Sequence, residues 1–168
     1  MVFLFLVLQK SNYTIKIKVR AVIQKVQNAA VNIENHLKSK IDSGLLIFLG
    51  IEEEDTLEDI EWLCKKIAQL RIVNDENGIM NLSIQDIDGE ALVISQFTLH
   101  AKIKKGNRPS YIKAAKPDTA IPLYNQFIKT LNQLITKEVQ TGEFGAYMKI
   151  SLVNDGPVTI YIDTKNKE

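Results

Sequence analysis

This chain of 168 residues contains one cysteine and two histidines, and its net charge is close to zero. A single cysteine excludes an internal disulfide framework and a cysteine-rich metal site, and it favours a reducing, cytoplasmic location. A net charge of only +1 means that affinity for a nucleic acid must come from local clustering of basic residues.

Long hydrophobic runs are missing as well. The apolar run at residues 2–8 is far shorter than the roughly 20 residues that a membrane span requires. It also lacks the basic leader and the cleavage site of a secretory signal. We therefore expect no membrane partner, an N-terminal extension over residues 1–18 and a single domain over residues 19–168.

Strand patterns occur at both ends of the chain and between two helical segments. Residues 17–33 alternate as a strand or a pair of strands, and residues 44–51 form a continuous apolar run typical of a strand buried on both faces. Residues 90–99 predict a further strand, and alternation returns at residues 147–152. The segment 154–157, Asn-Asp-Gly-Pro, predicts a turn between strands, because proline cannot donate to a ladder.

Two apolar stripes at helical spacing predict two main helices. The first follows the capping-box pair Thr56 and Asp59, and the second begins near Asp118 or Thr119 with Pro122 in its first turn. The first stripe is Ile60, Leu63, Cys64, Ile67 and Leu70, and the second is Ile121, Tyr124, Phe127, Ile128, Leu131, Leu134 and Ile135. We predict an α+β fold with a mixed, largely antiparallel sheet, and a buried packing role for the cysteine.

Conventional hydrolytic motifs are absent: there is no Gly-x-Ser-x-Gly elbow, His-Glu-x-x-His pair or Walker loop. Ser95 and His100 lie five residues apart, so they face opposite sides of a strand unless that strand ends before His100. We expect His100 to be exposed or half-buried. The strand end after Ser95 leaves backbone N–H groups free for an oxyanion hole, although a purely structural role stays open.

The loop after this strand is strongly basic. Residues 100–116 contain no acid and the cations Lys102, Lys104, Lys105, Arg108, Lys113 and Lys116. Such clustering, with Tyr111 for stacking, favours contacts to phosphates, and a solvated loop is the alternative.

Four ordered motifs carry a family resemblance. They are Ser95–Leu99 (SQFTL), Gly106–Ser110 (GNRPS), Phe144–Met148 (FGAYM) and Asn154–Thr159 (NDGPVT), preceded by the opening strand VRAVIQKV at 19–26. In this order the chain resembles the D-aminoacyl-tRNA deacylases over about residues 19 to 163. The resemblance implies hydrolysis of the ester between a D-amino acid and the 3′ end of tRNA, with glycyl-tRNA as a further substrate to test.

The resemblance also implies a homodimer with active sites at its interface. The bond between Gly156 and Pro157 is expected to be cis, and the pair is expected to reach into the partner's site, where its carbonyls exclude L-aminoacyl groups. Asn154, Phe144 and Met148 complete the implied substrate-binding set. The family often has arginine where this chain has Lys25, a side chain expected to hold the Gly-Pro segment.

The implied chemistry uses the 2′-OH of the tRNA to help activate water, so no metal or organic cofactor is expected. Gln96 and the Phe97 N–H position the ester, with Ser95 in support. Thr98 is either a nucleophile or a binding residue, and the second role is preferred because no base is clearly placed beside it. The implied tRNA contacts are Lys104, Lys105, Arg108 and Lys113.

Two other functions remain as alternatives. A non-catalytic nucleic-acid-binding protein also fits the basic loop, and relatives of this fold have been connected with DNA binding. A general small-ester hydrolase is disfavoured, because this chain has no recognisable catalytic triad and such an enzyme would have no need of the basic loop.

Overall fold

The computed structural model describes residues 19–104 and 106–166. The expected N-terminal extension, residues 1–18, and the expected tRNA contact Lys105 lie outside these residues. The described part contains a six-stranded mixed sheet, a two-stranded ribbon and two α-helices. The predicted α+β class, with a mixed sheet and two main helices, is confirmed.

The six strands of the sheet are β1 (Arg20–Ile33), β2 (His36–Ile41), β3 (Gly44–Gly50), β6 (Glu90–Ser95), β7 (Gln140–Thr141) and β8 (Met148–Asp163). The long strand β1 organises the sheet. It pairs antiparallel with β8 along one edge and with β3 and then β2 along the other, while β6 and β7 continue the sheet in parallel. The separate ribbon pairs β4 (Val73–Asn74) with β5 (Met80–Leu82).

The neighbouring strands β3 and β6 are buried on both faces, as their continuous apolar sequences predict. Leu45 and Ile47 of β3 face the main core, whereas Leu46 packs on the opposite side of the sheet. The helices α1 (Leu57–Ala68) and α2 (Pro117–Asn132) cover the main face. The opposite face is closed by a smaller cluster that includes side chains from the first half of β8.

The predicted start of α1 is confirmed, but Leu70, predicted in its stripe, lies past its end at Ala68, as Leu134 and Ile135 lie past the end of α2. Asp59 accepts bonds from the Thr56 N–H at 3.1 Å and the Thr56 hydroxyl at 2.6 Å, which fixes the predicted start of α1. Helix α2 begins at Pro117, so Pro122 lies beyond its first turn, inside the helix. Ile121, predicted in the apolar stripe, is exposed. Among the described residues, no helix has the length and apolar character needed to cross a membrane.

The Asn-Asp-Gly-Pro segment is not a turn between two strands, which corrects the prediction. β8 pairs with β1 both before and after it, from the Val26–Asn154 pair to the Gln24–Thr159 pair. The intervening residues protrude as a bulge within one continuous strand, so the proline occupies no ladder position. The Gly156–Pro157 peptide bond is cis, and Gly156 has φ of +130°.

Candidate active site

The predicted strand 90–99 ends early, at Ser95, and a 3-10 helix (Phe97–His100) follows. The last bond to β3 runs from the Gln96 N–H to the Leu49 carbonyl, at 2.7 Å. Gly50 then leaves room for the new helix: a Cβ there would lie 2.9 Å from the Gln96 carbonyl oxygen and 3.1 Å from His100 Nε2. The strand prediction is therefore wrong for the residues after Ser95.

This change of direction leaves two backbone donors without a partner in the described part of the chain. A 3-10 helix leaves its first N–H groups without intrahelical acceptors. Within residues 19–104 and 106–166, the Phe97 and Thr98 N–H groups have no acceptor. The Phe97 side chain is 56% exposed and contacts Tyr111 edge-on, with 5.1 Å between ring centroids. Two adjacent free donors beside an open surface can stabilise a developing oxyanion.

A small apolar cavity of about 70 Å³ lies beside these donors. Ser95, Gln96 and Phe97 line one side, and Tyr124 and Phe144 line another. The Tyr124 hydroxyl donates to the Val93 carbonyl at 2.8 Å, and burial raises its pKa, so Tyr124 forms a fixed neutral wall. The volume suits a small group rather than a nucleotide, since one water molecule needs about 10–15 Å³ of such cavity space.

The Thr98 hydroxyl is held by a neighbouring side chain. The Gln96 amide donates to the Thr98 oxygen. The only histidine near this segment, His100, points its ring toward Gly50 and Glu52. The Thr98 oxygen is therefore a hydrogen-bond acceptor, and within residues 19–104 and 106–166 no general base is bonded to it.

His100 is 1% exposed, so the expectation of an exposed or half-buried side chain is wrong. Burial lowers its pKa, although the nearby Gly50 carbonyl and the carboxylates of Glu52 and Asp163 oppose that shift. Its Nδ1 atom lies 4.0 Å from Glu52 Oε1. Because the strand ends at Ser95, the strand alternation that was expected to separate His100 from Ser95 does not apply to this segment.

Cys64 is buried in the main core, as predicted. Burial raises the pKa of its thiol to about 12, which keeps the sulfur protonated and unreactive at neutral pH. Among the described residues, no cluster of three or more histidine, cysteine or acidic side chains is placed to hold a metal ion.

The basic loop forms a narrow hairpin next to the cavity segment. The backbones of Lys102 and Ser110 exchange hydrogen bonds of 2.8 and 3.0 Å. Lys104 and Arg108 are exposed on this hairpin. Lys113 differs, because its ammonium lies 3.8 Å from buried Glu52, which neutralises part of its charge. Glu52 was not found by sequence reasoning, since it lies in an acidic run that resembles a solvated helix start.

The bulge on β8 is held by its own neighbours. The Asn154 side chain accepts from the Val158 N–H at 3.2 Å and donates to the Thr159 hydroxyl at 3.1 Å. Lys25, with a side chain only 9% exposed, forms a 3.0 Å ion pair with Asp155. The structure thus shows that Asn154 and Lys25 support the bulge. Asp155, the ion-pair partner of Lys25, was not predicted from the sequence.

The bulge and the cavity of one chain are far apart. Ser95 and the bulge are three strand spacings apart across the sheet, from β6 through β3 and β1 to β8. They are also about four residues apart along the strands, which together gives a separation of about 20 Å. Met148 packs against Gly142 and Ile94 in the second core cluster. The structure therefore joins Phe144 with the Ser95 segment, but not Met148, Asn154 or the Gly-Pro pair.

Known proteins are similar to this chain over nearly all of the described residues. A family model described as D-Tyr-tRNA(Tyr) deacylase matches residues 22–163. A protein from Bacteroides fragilis named D-aminoacyl-tRNA deacylase is 66% identical over 149 residues, which cover 89% of this chain and 99% of that relative. A protein of the same name from Flavobacterium johnsoniae is 58% identical, with the same coverage.

Two solved structures have the same architecture. One, described as a c-Myc DNA unwinding element binding protein, is 38% identical with a TM-score of 0.81, and the match covers 85% of this chain and 97% of that one. The other, described as a probable eukaryotic D-amino acid tRNA deacylase, has a TM-score of 0.75 over 88% of this chain and 100% of that one. At 15% identity, the second supports the fold alone.

Proposed function

Because this chain belongs to the D-Tyr-tRNA(Tyr) deacylase family of hydrolases, we propose that it hydrolyses the ester of D-aminoacyl-tRNA and releases the free D-amino acid and tRNA. The observation that carries the proposal is the pair of adjacent N–H groups of Phe97 and Thr98, which have no acceptor among the described residues, with Phe97 lining the small cavity. Hydrolysis of an ester needs such donors, since negative charge develops on the carbonyl oxygen in the transition state.

In this proposal, both the chain and its tRNA substrate contribute groups to the reaction. Water adds to the ester carbonyl, the Phe97 and Thr98 N–H groups stabilise the resulting oxyanion, and the 3′ oxygen of the tRNA leaves with a proton. Ser95 and Gln96 shape the cavity that holds the aminoacyl group. The adjacent 2′-OH of the tRNA helps to activate the water, which agrees with a site that brings no general base to Thr98. No cofactor takes part in this scheme.

Chiral selection falls to the bulge of a second copy of the chain. The Gly156 and Pro157 carbonyls would face the substrate α-carbon and exclude the L arrangement, while glycine, with no side chain, would escape exclusion. Three observations support this assignment: the bulge is exposed, it is braced by Lys25, and it lies about 20 Å from its own cavity. A homodimer with sites at its interface follows from the proposal.

The exposed cations of the basic hairpin, Lys104 and Arg108, would contact tRNA phosphates close to the cavity. Lys113 would contribute less, because Glu52 already lies against it. A cytoplasmic location, where aminoacylated tRNA is found, accompanies this proposal.

The deciding experiment compares D-tyrosyl-tRNA with L-tyrosyl-tRNA as substrates of the purified chain. We expect the D ester to disappear at least 100-fold faster, measured as residual aminoacylated tRNA on acid gels. Equal rates would reject the proposal. The same assay with glycyl-tRNA tests whether the site admits an amino acid without a side chain.

The role of the 2′-OH is tested with D-tyrosyl-tRNA ending in 2′-deoxyadenosine. We expect turnover to fall by about 100-fold or more, because the group proposed to help activate water is gone. Normal turnover would reject the RNA-assisted route and leave the rest of the proposal intact.

Binding of nucleic acid without catalysis is the second candidate. The relative described as a DNA unwinding element binding protein is 38% identical, and the acid-free hairpin with Lys104 and Arg108 would serve either role. In this case, uncharged tRNA or DNA would bind with strong salt dependence, and neither tyrosyl ester would be hydrolysed.

A further inference from the structure

Arg20, the first residue of β1, connects three distant parts of the chain. Its Nη1 donates to the Leu99 carbonyl at 2.8 Å, although the two residues lie 79 positions apart. Its Nε donates to Asp163 Oδ2 at 3.0 Å, at the end of β8. The guanidinium fork therefore joins the two terminal strands to the 3-10 helix that carries the free donors.

The bond to Leu99 satisfies a carbonyl that the helix cannot use. The last bond of the 3-10 helix runs from the Ala101 N–H to the Thr98 carbonyl, at 3.0 Å. The Leu99 carbonyl is thus the first without a partner from its own turn, and a cation at this end also suits the helix dipole. Arg20 holds the far end of the helix, opposite the Phe97 and Thr98 donors.

The carboxylate that orients Arg20 is itself held in place. Burial alone would raise the pKa of Asp163, but bonds from the Lys165 N–H, at 2.9 Å, and from Arg20 hold it below its ordinary value. The Lys165 ammonium then lies 3.2 Å from buried Glu52, next to His100. Because each charged partner is fixed by another, the guanidinium has little freedom to move away from Leu99.

We propose that Arg20 is a positioning residue for ester hydrolysis: through Leu99 it fixes the 3-10 helix and thereby holds the Phe97 and Thr98 N–H groups in the geometry that the oxyanion requires. This inference rests on the proposed function. Arg20 does not line the cavity, so its effect is on the geometry of donors that touch the substrate. A displacement of about 1 Å in such donors can cost about 100-fold in rate.

The test compares Arg20→Met, Arg20→Lys and the matched control Arg71→Met in the full chain. Arg71 also donates to a backbone carbonyl, from Nε to Asn81 at 2.9 Å, and neither residue lines the cavity. With D-tyrosyl-tRNA, we expect Arg20→Met to lower kcat about 10- to 100-fold while KM changes less than about twofold. Arg20→Lys should fall between Arg20→Met and the unaltered chain, because it keeps the charge and loses the fork. Arg71→Met should match the unaltered chain.

Amide hydrogen exchange supplies a second readout, independent of activity. In the Arg20 variants the N–H groups of Leu99 and Ala101, which close the 3-10 helix, should exchange faster, whereas Arg71→Met should leave them unchanged. If Arg20→Met does not fold, Arg20→Lys gives both readouts.

The outcomes separate this inference from the proposed function. Unchanged exchange at Leu99 and Ala101, or faster exchange with kcat within twofold of the unaltered chain, overturns the positioning role alone. A rise in KM at constant kcat would also overturn it, because Arg20 would then affect binding. If the unaltered chain fails to hydrolyse D-tyrosyl-tRNA, the proposed function is rejected and this inference with it.

Discussion

The 3-10 helix after Ser95 and the bulge at Gly156–Pro157 are both departures from a strand, but they are supported in opposite ways. The helix is packed from below by Gly50 and His100, and its far end is bound by Arg20 from another strand. The bulge extends into solvent, and it is held by the Asn154 hydrogen bonds and by the ion pair between Lys25 and Asp155. In the proposed function the first segment acts within its own chain and is supported from behind, whereas the second acts on the site of another copy and is open to solvent.

Adding a side chain under the helix should have the largest effect. In Gly50→Ala the Cβ would lie 2.9 Å from the Gln96 carbonyl oxygen and 3.0 Å from the Leu99 Cβ, so the helix must move. We expect activity on D-tyrosyl-tRNA to fall about 100-fold or more and the free energy of unfolding to fall by about 1–3 kcal/mol. Steady-state kinetics and urea unfolding measure the two effects.

The matched control is Gly78→Ala. Gly78 has φ of +76° and open space around the position of a Cβ, so its cost is backbone strain alone. We expect a loss of about 1 kcal/mol in stability with unchanged activity. If Gly50→Ala behaves like Gly78→Ala, the packing of the helix is not tied to catalysis.

A side chain added to the bulge should give a large loss of activity with little loss of stability. In Gly156→Ala the new Cβ would lie 2.7 Å from Val158 Cγ2, at a backbone conformation that side chains rarely adopt. Because the bulge is exposed, we expect activity to fall about 10- to 100-fold while stability falls by about 1–2 kcal/mol. A stability loss larger than that of Gly50→Ala would reverse the contrast between the two regions.

Removal of the brace tests whether the bulge needs to be rigid. Lys25→Met keeps most of the buried stem and removes the ammonium that pairs with Asp155. We expect the ratio of D to L hydrolysis to fall by up to about tenfold, because a mobile bulge excludes the L ester poorly. Lys25→Arg should keep the ratio, since a guanidinium can also pair with Asp155. Equal D-to-L ratios for the unaltered chain, Lys25→Met and Lys25→Arg would show that this ion pair does not contribute to selectivity.

Loss of the Thr98 hydroxyl should have a modest effect. In Thr98→Ala the Gln96 amide loses its acceptor, but the backbone N–H groups remain in place. We expect kcat to stay within about fivefold of the unaltered chain. Complete loss of activity in a folded protein, measured by single-turnover kinetics, would instead support a nucleophilic threonine.

The smallest effect should be a pH dependence of stability from His100. Burial lowers its folded pKa below the ordinary value of 6.5, while Arg20 also lowers it and Glu52 and Asp163 oppose the shift. The unfolded chain therefore binds the proton first as pH falls, so His100 contributes stability above about pH 6.5 that is lost below it. Urea unfolding between pH 7.5 and 5 should show this slope, and His100→Asn should flatten it. An unchanged slope would contradict the assignment to His100.

Local patterns were sufficient to predict several elements. Continuous apolar sequence predicted that β3 is buried on both faces, and the Thr56–Asp59 pair predicted the start of α1. These features depend on residues a few positions apart, so the sequence contains all the necessary information. The motif resemblance likewise identified the Ser95–Thr98 segment and Phe144, which the fold brings to one cavity except for Thr98.

The end of β6 and the course of β8 could not be predicted in the same way. The pattern of residues 90–99 predicts one strand. However, β3 ends at Gly50, so the residues after Ser95 do not continue the pairing and form the 3-10 helix packed against Gly50. At Gly156–Pro157, local chemistry indicates a turn, and only pairing with β1 on both sides makes the segment a bulge.

The sequence by itself determined the approximate positions of most strands and helices and which motifs belong together, because periodicity acts between near neighbours. Only the tertiary structure decided which groups are left free and which are held. Arg20 reaches Leu99 across 79 residues, and Lys25 reaches Asp155 across the sheet. Such contacts arise when strand register brings distant charges within a few ångströms, and strand register depends on the whole sheet.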